Sequence, residues 1–280
     1  MNLFTPNLQF TLNASSLTGP VSPGAFLKTF ADGDGLDTGV NFVSGTGLLR
    51  MFRSSFVFVV RPQANLEYQP FVTLYTGDNG TAQCIGKTAD NGSTSHRYGP
   101  FEGDLNPYYG HNVAPSAGGD ESATYGDWLM IAGGFVGSQY KNWSISKING
   151  LDPSGNRGGN GDYSFDFAVE GSDIHLGYPT TFGGNNAFEL AMVRIYNSPT
   201  ATLTDEQSTQ IWDHWSSNNL AYYNNNSQTL PSYNEDVEDY TTDLLAEWDF
   251  AKMPAGVLQT TAGSVGTVTG SLSGNAVVTS

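Results

Sequence analysis

Most of the chain consists of short segments in which hydrophobic and polar residues alternate with a period of two. Leu8–Leu12, Trp143–Asn149 and Tyr163–Val169 alternate in this way, which is typical of strands with one buried face. Ser55–Val60 is hydrophobic almost throughout and predicts a central strand covered on both faces, and Trp128–Val136 predicts a second buried strand. Gly, Asn, Ser and Thr separate these segments. The pattern therefore predicts an all-β fold.

One segment departs from this pattern and predicts a short covering helix. Phe188–Tyr196 is expected to be a buried strand, and a helix is expected to follow it over Leu203–Trp215. Thr204 is a favourable N-cap, and Gln207, three residues later, completes a capping box. The apolar residues of the second half recur at helical spacing, so one face of the helix is expected to pack on the sheet.

Composition and charge exclude several classes of function. The 280 residues include 11 basic and 27 acidic side chains, giving a net charge of −16. Nucleic acid is an unfavourable partner for such a surface, and so is an anionic membrane. No secretory signal and no membrane-spanning run is predicted, so membrane insertion is not expected. The single Cys84 is expected to be a small core residue rather than a reactive thiol.

The composition of the sequence changes after Ser217. Residues 222–231 have the composition of a linker, residues 234–239 are strongly acidic, and Leu244–Phe250 predicts a further strand. We therefore expect a sandwich over residues 1–217. Residues 218–280 are expected to form a linker and a C-terminal β extension, which packs either on the same domain or on a neighbouring subunit of a homo-oligomer.

A long polar segment with interspersed aromatic residues is the predicted ligand-binding region. Residues 88–126 are rich in glycine and polar residues, and long connections inside a compact domain are often functional. Flat aromatic rings suit the faces of sugars. The alternative interpretation is that these side chains anchor the loop or lie at a subunit contact. The candidate glycan-binding residues are Tyr98, Phe101, Tyr108, Tyr109, His111 and Tyr125.

An aspartate-rich turn offers a candidate site for Ca²⁺, the one cofactor that the sequence suggests. Asp32, Asp34 and Asp37 place three carboxylates in a glycine-rich stretch, and Ca²⁺ prefers such oxygen ligands. The spacing lacks the twelve-residue pattern and terminal Glu of an EF-hand. A solvated turn is the competing interpretation.

Several of these motifs together resemble the concanavalin A-like jelly-roll superfamily, specifically the laminin-G-like modules of bacterial and viral proteins. Leu8–Leu17 resembles their opening strand and turn, and Phe56–Pro62 their central strand. Phe188–Asn197 followed by Leu203–Gln207 resembles their closing strand, turn and helix. The resemblance implies a two-sheet antiparallel jelly-roll sandwich and adds loop-bound Ca²⁺ as an expectation. The chain departs from the family at Ala191-Met192-Val193, where a carboxylate is often present.

The superfamily includes polysaccharide hydrolases and lyases, but the sequence does not favour either. A retaining hydrolase needs two carboxylates about 5 Å apart. The nearest pair on a strand, Glu247 and Asp249, is expected to point to opposite clusters or to solvent. A lyase would need a base and an acid such as His111 with Tyr108 or Tyr109, together with cations that are scarce here. The protein is therefore not expected to be an enzyme.

Two functional hypotheses remain compatible with these features. The first is a virion structural protein, a capsid decoration or a head or tail fibre component, located at the virion surface and contacting other virion subunits. The second is a lectin-like module that binds a cell-surface polysaccharide through residues 98–125. Polysaccharide lyase or hydrolase activity is the remote alternative.

Overall fold

The computed structural model describes fourteen segments of the chain. These are residues 24–31, 33–41, 54–62, 69–75, 82–88, 97–102, 111–112, 128–136, 139–147, 161–162, 173–177, 187–197, 203–225 and 236–279. The predicted strands at Leu8–Leu12 and Tyr163–Val169 lie outside these residues.

The described segments form two antiparallel β-sheets and one α-helix. The helix is α1 (Asp205–Asn225), and the strands are β1 (Phe26–Lys28), β2 (Gly35–Asn41), β3 (Ser54–Pro62), β4 (Gln69–Tyr75), β5 (Ala82–Thr88), β6 (Arg97–Glu102), β7 (His111–Asn112), β8 (Leu129–Val136), β9 (Gln139–Lys147), β10 (Gly161–Asp162), β11 (Asp173–Gly177), β12 (Phe188–Asn197), β13 (Leu244–Asp249), β14 (Ser271–Ser273) and β15 (Val277–Thr279). The predicted all-β, two-sheet antiparallel sandwich is confirmed. The narrower assignment to a laminin-G-like module stays with the sequence resemblance.

The two sheets pack against each other, and the other face of sheet A is covered by α1. Sheet A has the strand order β10-β9-β8-β3-β12-β1-β15, with β13 also paired to β12. Sheet B has the order β14-β2-β11-β4-β5-β6-β7. One hydrophobic core contains residues of both sheets, and a second core lies between sheet A and α1.

Strand β3 lies in the middle of sheet A, and each of its faces contributes to one of these cores. Phe56 and Phe58 belong to the core between the sheets, whereas Val57 and Val59 belong to the core beneath α1. All four side chains are at most 1% exposed. A strand buried on both faces cannot alternate with polar residues, and the predicted central strand over Ser55–Val60 is therefore confirmed.

Helix α1 begins where the capping box predicts. The Thr204 backbone N–H donates to Gln207 Oε1 at 2.8 Å, and the Gln207 N–H donates to Thr204 Oγ1 at 3.2 Å. The helix ends at Asn225, ten residues beyond the predicted end at Trp215. No described helix is long and apolar enough to cross a membrane.

Tertiary contacts explain why the helix continues through a polar sequence. Trp215 and Tyr223 pack against each other with ring centroids 5.2 Å apart. The Tyr223 ring also contacts that of Trp128, directly before β8, with centroids 4.7 Å apart. The Tyr223 hydroxyl donates to the Ala25 carbonyl at 2.7 Å, and burial raises the pKa of this phenol. Packing overrides the modest helix propensity of the local residues. Trp212 and Trp215 are buried in this core.

Strand β12 pairs with two different strands along one of its edges. Leu27 of β1 lies opposite Leu190, whereas β13 pairs further along, with Trp248 opposite Val193. The register of β12 against β3 shifts between Leu190 and Met192, and such an irregularity bends a strand locally. The bend falls where the edge passes from β1 to β13. Strand β12 is therefore the meeting point of the N-terminal and C-terminal parts of sheet A.

The described C-terminal residues add strands to both sheets of the same chain. Strand β13 pairs with β12, β14 with β2, and β15 with β1. Trp248 and Phe250 are at most 1% exposed and belong to the core between the sheets. Residues 236–279 are therefore part of the sandwich in this structure. The division of the chain at residue 217 stays a prediction.

Candidate functional site: a buried ionic cluster beneath the C-terminal segment

The predicted glycan-binding residues fall at one edge of sheet B, as far as the structure describes them. Tyr98 and Phe101 lie on β6, and His111 lies on β7 directly opposite Tyr98. Tyr108, Tyr109 and Tyr125 lie outside the described residues. The β6–β7 pairing therefore brings two of the six candidates together in register. Glycan binding by this region stays a prediction.

The aspartates of the candidate Ca²⁺ turn have structural partners. Asp34 Oδ2 accepts hydrogen bonds from the Phe30 and Ala31 backbone N–H groups, and Asp34 Oδ1 accepts one from Asn275. Asp37 Oδ1 accepts the Gly39 N–H, and Asp32 lies outside the described residues. Among the residues that the structure describes, no group of three His, Cys, Asp or Glu side chains could hold a metal ion.

Cys84 is a buried core residue, as predicted. It is 0% exposed, and its Sγ atom lies 3.6 Å from the Thr73 hydroxyl. Burial raises the pKa of the Cys84 thiol to about 12. Because the thiolate is the reactive form, this cysteine is poorly suited to nucleophilic chemistry.

Glu247 and Asp249 lie close together, contrary to the sequence prediction. Their side chains are 1% and 0% exposed, and the same ammonium group, Lys252 Nζ, lies 3.4 Å from Glu247 Oε1 and 3.4 Å from Asp249 Oδ2. The two residues are separated by two positions on β13, and such residues share one face of a strand. The prediction that they point to opposite clusters or to solvent is wrong, because cationic partners outside β13 allow both carboxylates to be buried.

Arg194 of β12 is the centre of this cluster. Its side chain is 1% exposed, and Arg194 Nε donates to Glu247 Oε2 at 2.6 Å across the β12–β13 pairing. Its two terminal nitrogens donate to the two carboxylate oxygens of Asp239 at 2.6 and 2.7 Å. Arg194 Nη1 also lies 3.3 Å from the Tyr196 hydroxyl. This bidentate geometry with additional donors is the arrangement in which a buried guanidinium is best compensated.

This environment shifts the pKa values of Glu247 and Asp249 in opposite directions. Burial disfavours ionisation of Glu247, but the charges of Arg194 and Lys252 outweigh it and hold the pKa of Glu247 below its ordinary value. For Asp249, burial and the neighbouring Glu247 charge outweigh the attraction of Lys252, and the pKa is raised. Pairs with divergent pKa values occur in acid–base catalysis. Here both groups are fully buried, so the described geometry gives a substrate no direct approach to either carboxyl.

The cations of the cluster stay charged. Burial acts against the charge of Lys252, but the adjacent Asp249 and Glu247 carboxyls outweigh it and raise the pKa of the ammonium. Burial likewise opposes the charge of Arg194, and its bond with Asp239 and the charge of Glu247 raise the pKa of the guanidinium above its usual range. Each cation of the cluster thus lies against two carboxyl groups.

Residues 236–243, which we call the strap, cover the cluster from the side of α1. Asp239 supplies the bidentate partner of Arg194, and the Tyr240 carbonyl accepts a hydrogen bond from the Tyr196 hydroxyl at 2.9 Å. His214 Nδ1 of α1 lies 2.8 Å from the Val237 carbonyl oxygen. Gln207 Nε2 donates to the Tyr240 hydroxyl at 2.9 Å. The Tyr240 ring also packs against the core beneath α1, with its centroid 5.9 Å from that of Tyr196. The other contacts described for the strap are polar.

An open cleft of about 510 Å³ lies between α1 and the first residues of the strap. The described residues that line it are Glu206, Thr209, Gln210, Asp213, Asp236, Val237 and Glu238. Four of these side chains are carboxylates, and all four belong to residues exposed at the surface. The cleft is thus strongly acidic and lies beside the buried cluster rather than opening into it.

A second ionic group on sheet A is more exposed. Glu189 of β12 is 3% exposed, forms an ion pair with Arg61 of β3, and lies 3.1 Å from Lys28 Nζ of β1. The side chains of Arg61 and Lys28 are 31% and 36% exposed. Arg61 also lies over the Trp128 ring at 5.2 Å from its centroid. This group joins three neighbouring strands at their solvent boundary.

The Arg194 cluster was not among the candidate sites predicted from the sequence. The available signals were an arginine within the otherwise hydrophobic Phe188–Tyr196 segment and the alternation of Glu247 and Asp249 within Leu244–Phe250. A charge in the middle of a buried strand requires a buried partner of opposite charge. Identifying that partner requires the β12–β13 register, which joins residues 53 positions apart.

No known protein-family model matches the chain, and no curated protein is significantly similar to it. The resemblance to laminin-G-like modules therefore remains a prediction made from the motifs.

Proposed function

We propose that this protein is a non-enzymatic structural protein exposed at the surface of a virus particle, as a capsid decoration or a fibre component. The observation that supports this proposal is the use of the polar C-terminal segment as part of the framework. Its three strands pair with β12, β2 and β1, so the segment joins both sheets. Strands β14 and β15 are the end strands of their sheets and are only three residues long, and such short edge strands limit unwanted edge pairing.

The chemistry of the ionic cluster also supports a structural role. Arg194, Glu247 and Asp249 are the most deeply buried ions of the cluster, and each has a partner of opposite charge. A catalytic carboxyl pair would have to reach a substrate, whereas these groups join β12, β13 and the strap. The net charge of −16 favours solubility and disfavours adsorption to nucleic acid.

Localisation on purified particles tests this proposal. Immunogold electron microscopy with an antibody raised against the chain should label the surface of particles of the encoding virus. Mass spectrometry of the same particles should detect the protein at a fixed copy number relative to the major capsid protein. A chain that is found only in the soluble lysate, and never with particles, would refute the proposal.

Glycan contact is the second candidate function, and the β6–β7 pairing of Tyr98 with His111 is the observation that favours it. Binding to a cell-surface polysaccharide through residues 98–125 is compatible with a location on the virion. A glycan array should give specific binding by the wild-type protein, and a variant carrying both Tyr108→Ala and Tyr109→Ala should lose it. Equal binding by both proteins would exclude this region as the glycan site. Degradation of the bound polysaccharide would instead indicate the enzymatic alternative.

A further inference from the structure

The strap differs in its packing from the strand that follows it. Residues 236–243 are all exposed or half-buried, whereas every residue of β13 is buried. Few apolar contacts and many polar ones are typical of segments that open locally at low free-energy cost. The strap is therefore expected to open more readily than β13, with Leu244 as the boundary between the two behaviours.

The two surfaces that meet at the cleft have the same charge. Glu206 and Asp213 of α1 line one side, and Asp236 and Glu238 of the strap line the other. Like charges in contact with solvent repel each other over about 10 Å at 0.1 M salt and over about 30 Å at 0.01 M. Docking of the strap on α1 is thus opposed by an electrostatic term that salt weakens.

The attractive ionic contacts of the strap respond differently to salt. Asp239 is bound at 2.6 and 2.7 Å by Arg194, whose side chain is 1% exposed. Buried pairs are screened much less than exposed charges. Raising the salt concentration should therefore remove the repulsion across the cleft and leave the Arg194–Asp239 bond nearly unchanged.

We propose that residues 236–243 form a strap whose docking on α1 is controlled by ionic strength. The Arg194–Asp239 ion pair holds the strap closed, and repulsion between the carboxylates on the two sides of the cleft favours its opening. At low ionic strength the strap opens more often and exposes Arg194, Tyr196 and the facing surface of α1. At high ionic strength it stays closed. The other charged and titratable groups near Arg194 and Asp239 are Glu247 and Asp249 of β13, Lys252 shortly after β13, and His214 of α1.

Hydrogen–deuterium exchange of the full chain tests this proposal. Exchange of peptides covering residues 236–243 should slow by about threefold to tenfold between 0.01 M and 0.5 M NaCl, because the Debye length falls from about 30 Å to a few ångströms. Peptides covering β13 should show no comparable change, and they serve as the internal reference.

A pair of charge-neutralising variants separates cleft repulsion from a general salt effect. Glu206→Gln combined with Asp213→Asn should slow strap exchange at 0.01 M NaCl to nearly the wild-type rate at 0.5 M. The cleft variant removes two negative charges. Asp37→Asn removes one negative charge from sheet B, at a residue that does not line the cleft, and it should leave the wild-type salt dependence intact. Strap exchange that is independent of salt, or that speeds up as salt is added, would overturn the proposal. An unchanged salt dependence in the Glu206→Gln, Asp213→Asn protein would do the same.

Discussion

Replacing Arg194 by methionine should destabilise the sandwich more than replacing any exposed cation. Met retains an apolar stem of similar length but leaves Glu247, 1% exposed, without its closest cationic partner. Removing one member of a buried ion pair costs about 3–5 kcal/mol, because the remaining charge is desolvated and uncompensated. Lys252 still lies 3.4 Å from Glu247, but its side chain is 40% exposed and therefore compensates weakly.

This loss is large enough to measure by thermal and denaturant unfolding. For a chain of this size, each kcal/mol shifts Tm by about 2–4 °C, so Arg194→Met should lower Tm by about 6–20 °C. The matched control is Arg61→Met. Arg61 also forms an ion pair with a glutamate across a strand pairing, but its side chain is 31% exposed and Lys28 continues to pair with Glu189. The control should cost about 1 kcal/mol.

A double variant distinguishes an uncompensated charge from a simple packing defect. Combining Arg194→Met with Glu247→Met removes both buried charges and should recover at least half of the stability lost by Arg194→Met alone. Equal losses for Arg194→Met and Arg61→Met would refute this reasoning. So would a double variant whose loss equals the sum of the two single losses.

Three further outcomes follow from the structure. Cys84, with its pKa raised to about 12, should react with a thiol reagent at pH 8 at least about a thousandfold more slowly in the native protein than in guanidinium, and equal rates would contradict its burial. Gly39 has φ +67°, and a Cβ added there would lie 2.6 Å from the Thr269 carbonyl oxygen, so Gly39→Ala should lower the free energy of unfolding by over about 2 kcal/mol. Gly266 has φ +72° but lies in open space, so Gly266→Ala should cost about 1 kcal/mol when both variants are measured by denaturant unfolding. The raised pKa of Asp249 means that its contribution to stability is present below the unfolded pKa and is lost as pH rises through the folded pKa. Above pH 4, Tm of Asp249→Asn should therefore rise relative to that of the wild-type protein as pH increases, and a constant difference between the two would contradict the raised pKa.

Local sequence patterns predicted the elements whose formation depends on neighbouring residues. The capping box placed the start of α1 at Thr204, and the hydrophobic run identified β3 as a doubly covered strand. Both signals act within a few residues, so the sequence contains them directly. The end of α1 could not be predicted in this way, because Tyr223 is held by contacts with Trp128 and Ala25, which are distant in the sequence.

The ionic cluster shows the same limit more clearly. The sequence predicts that Glu247 and Asp249 point to opposite clusters or to solvent. Two buried acids on one strand face are unfavourable in isolation. Arg194 and Lys252 reverse this balance, and Arg194 reaches Glu247 only through the β12–β13 pairing. Residues whose burial depends on a distant partner are those that pattern alone misassigns.

A cross-strand disulfide tests most directly whether residues 236–279 complete the sandwich of their own chain. Asp37 of β2 and Ser271 of β14 are register partners, and neither is fully buried. Cysteines at directly opposed strand positions fall within the Cα separation that a disulfide requires. Asp37→Cys with Ser271→Cys should therefore oxidise to a monomer on non-reducing gels, with an intact mass about 2 Da lower as one disulfide requires. Disulfide-linked dimers, or two thiols that remain free under oxidising conditions, would contradict the account.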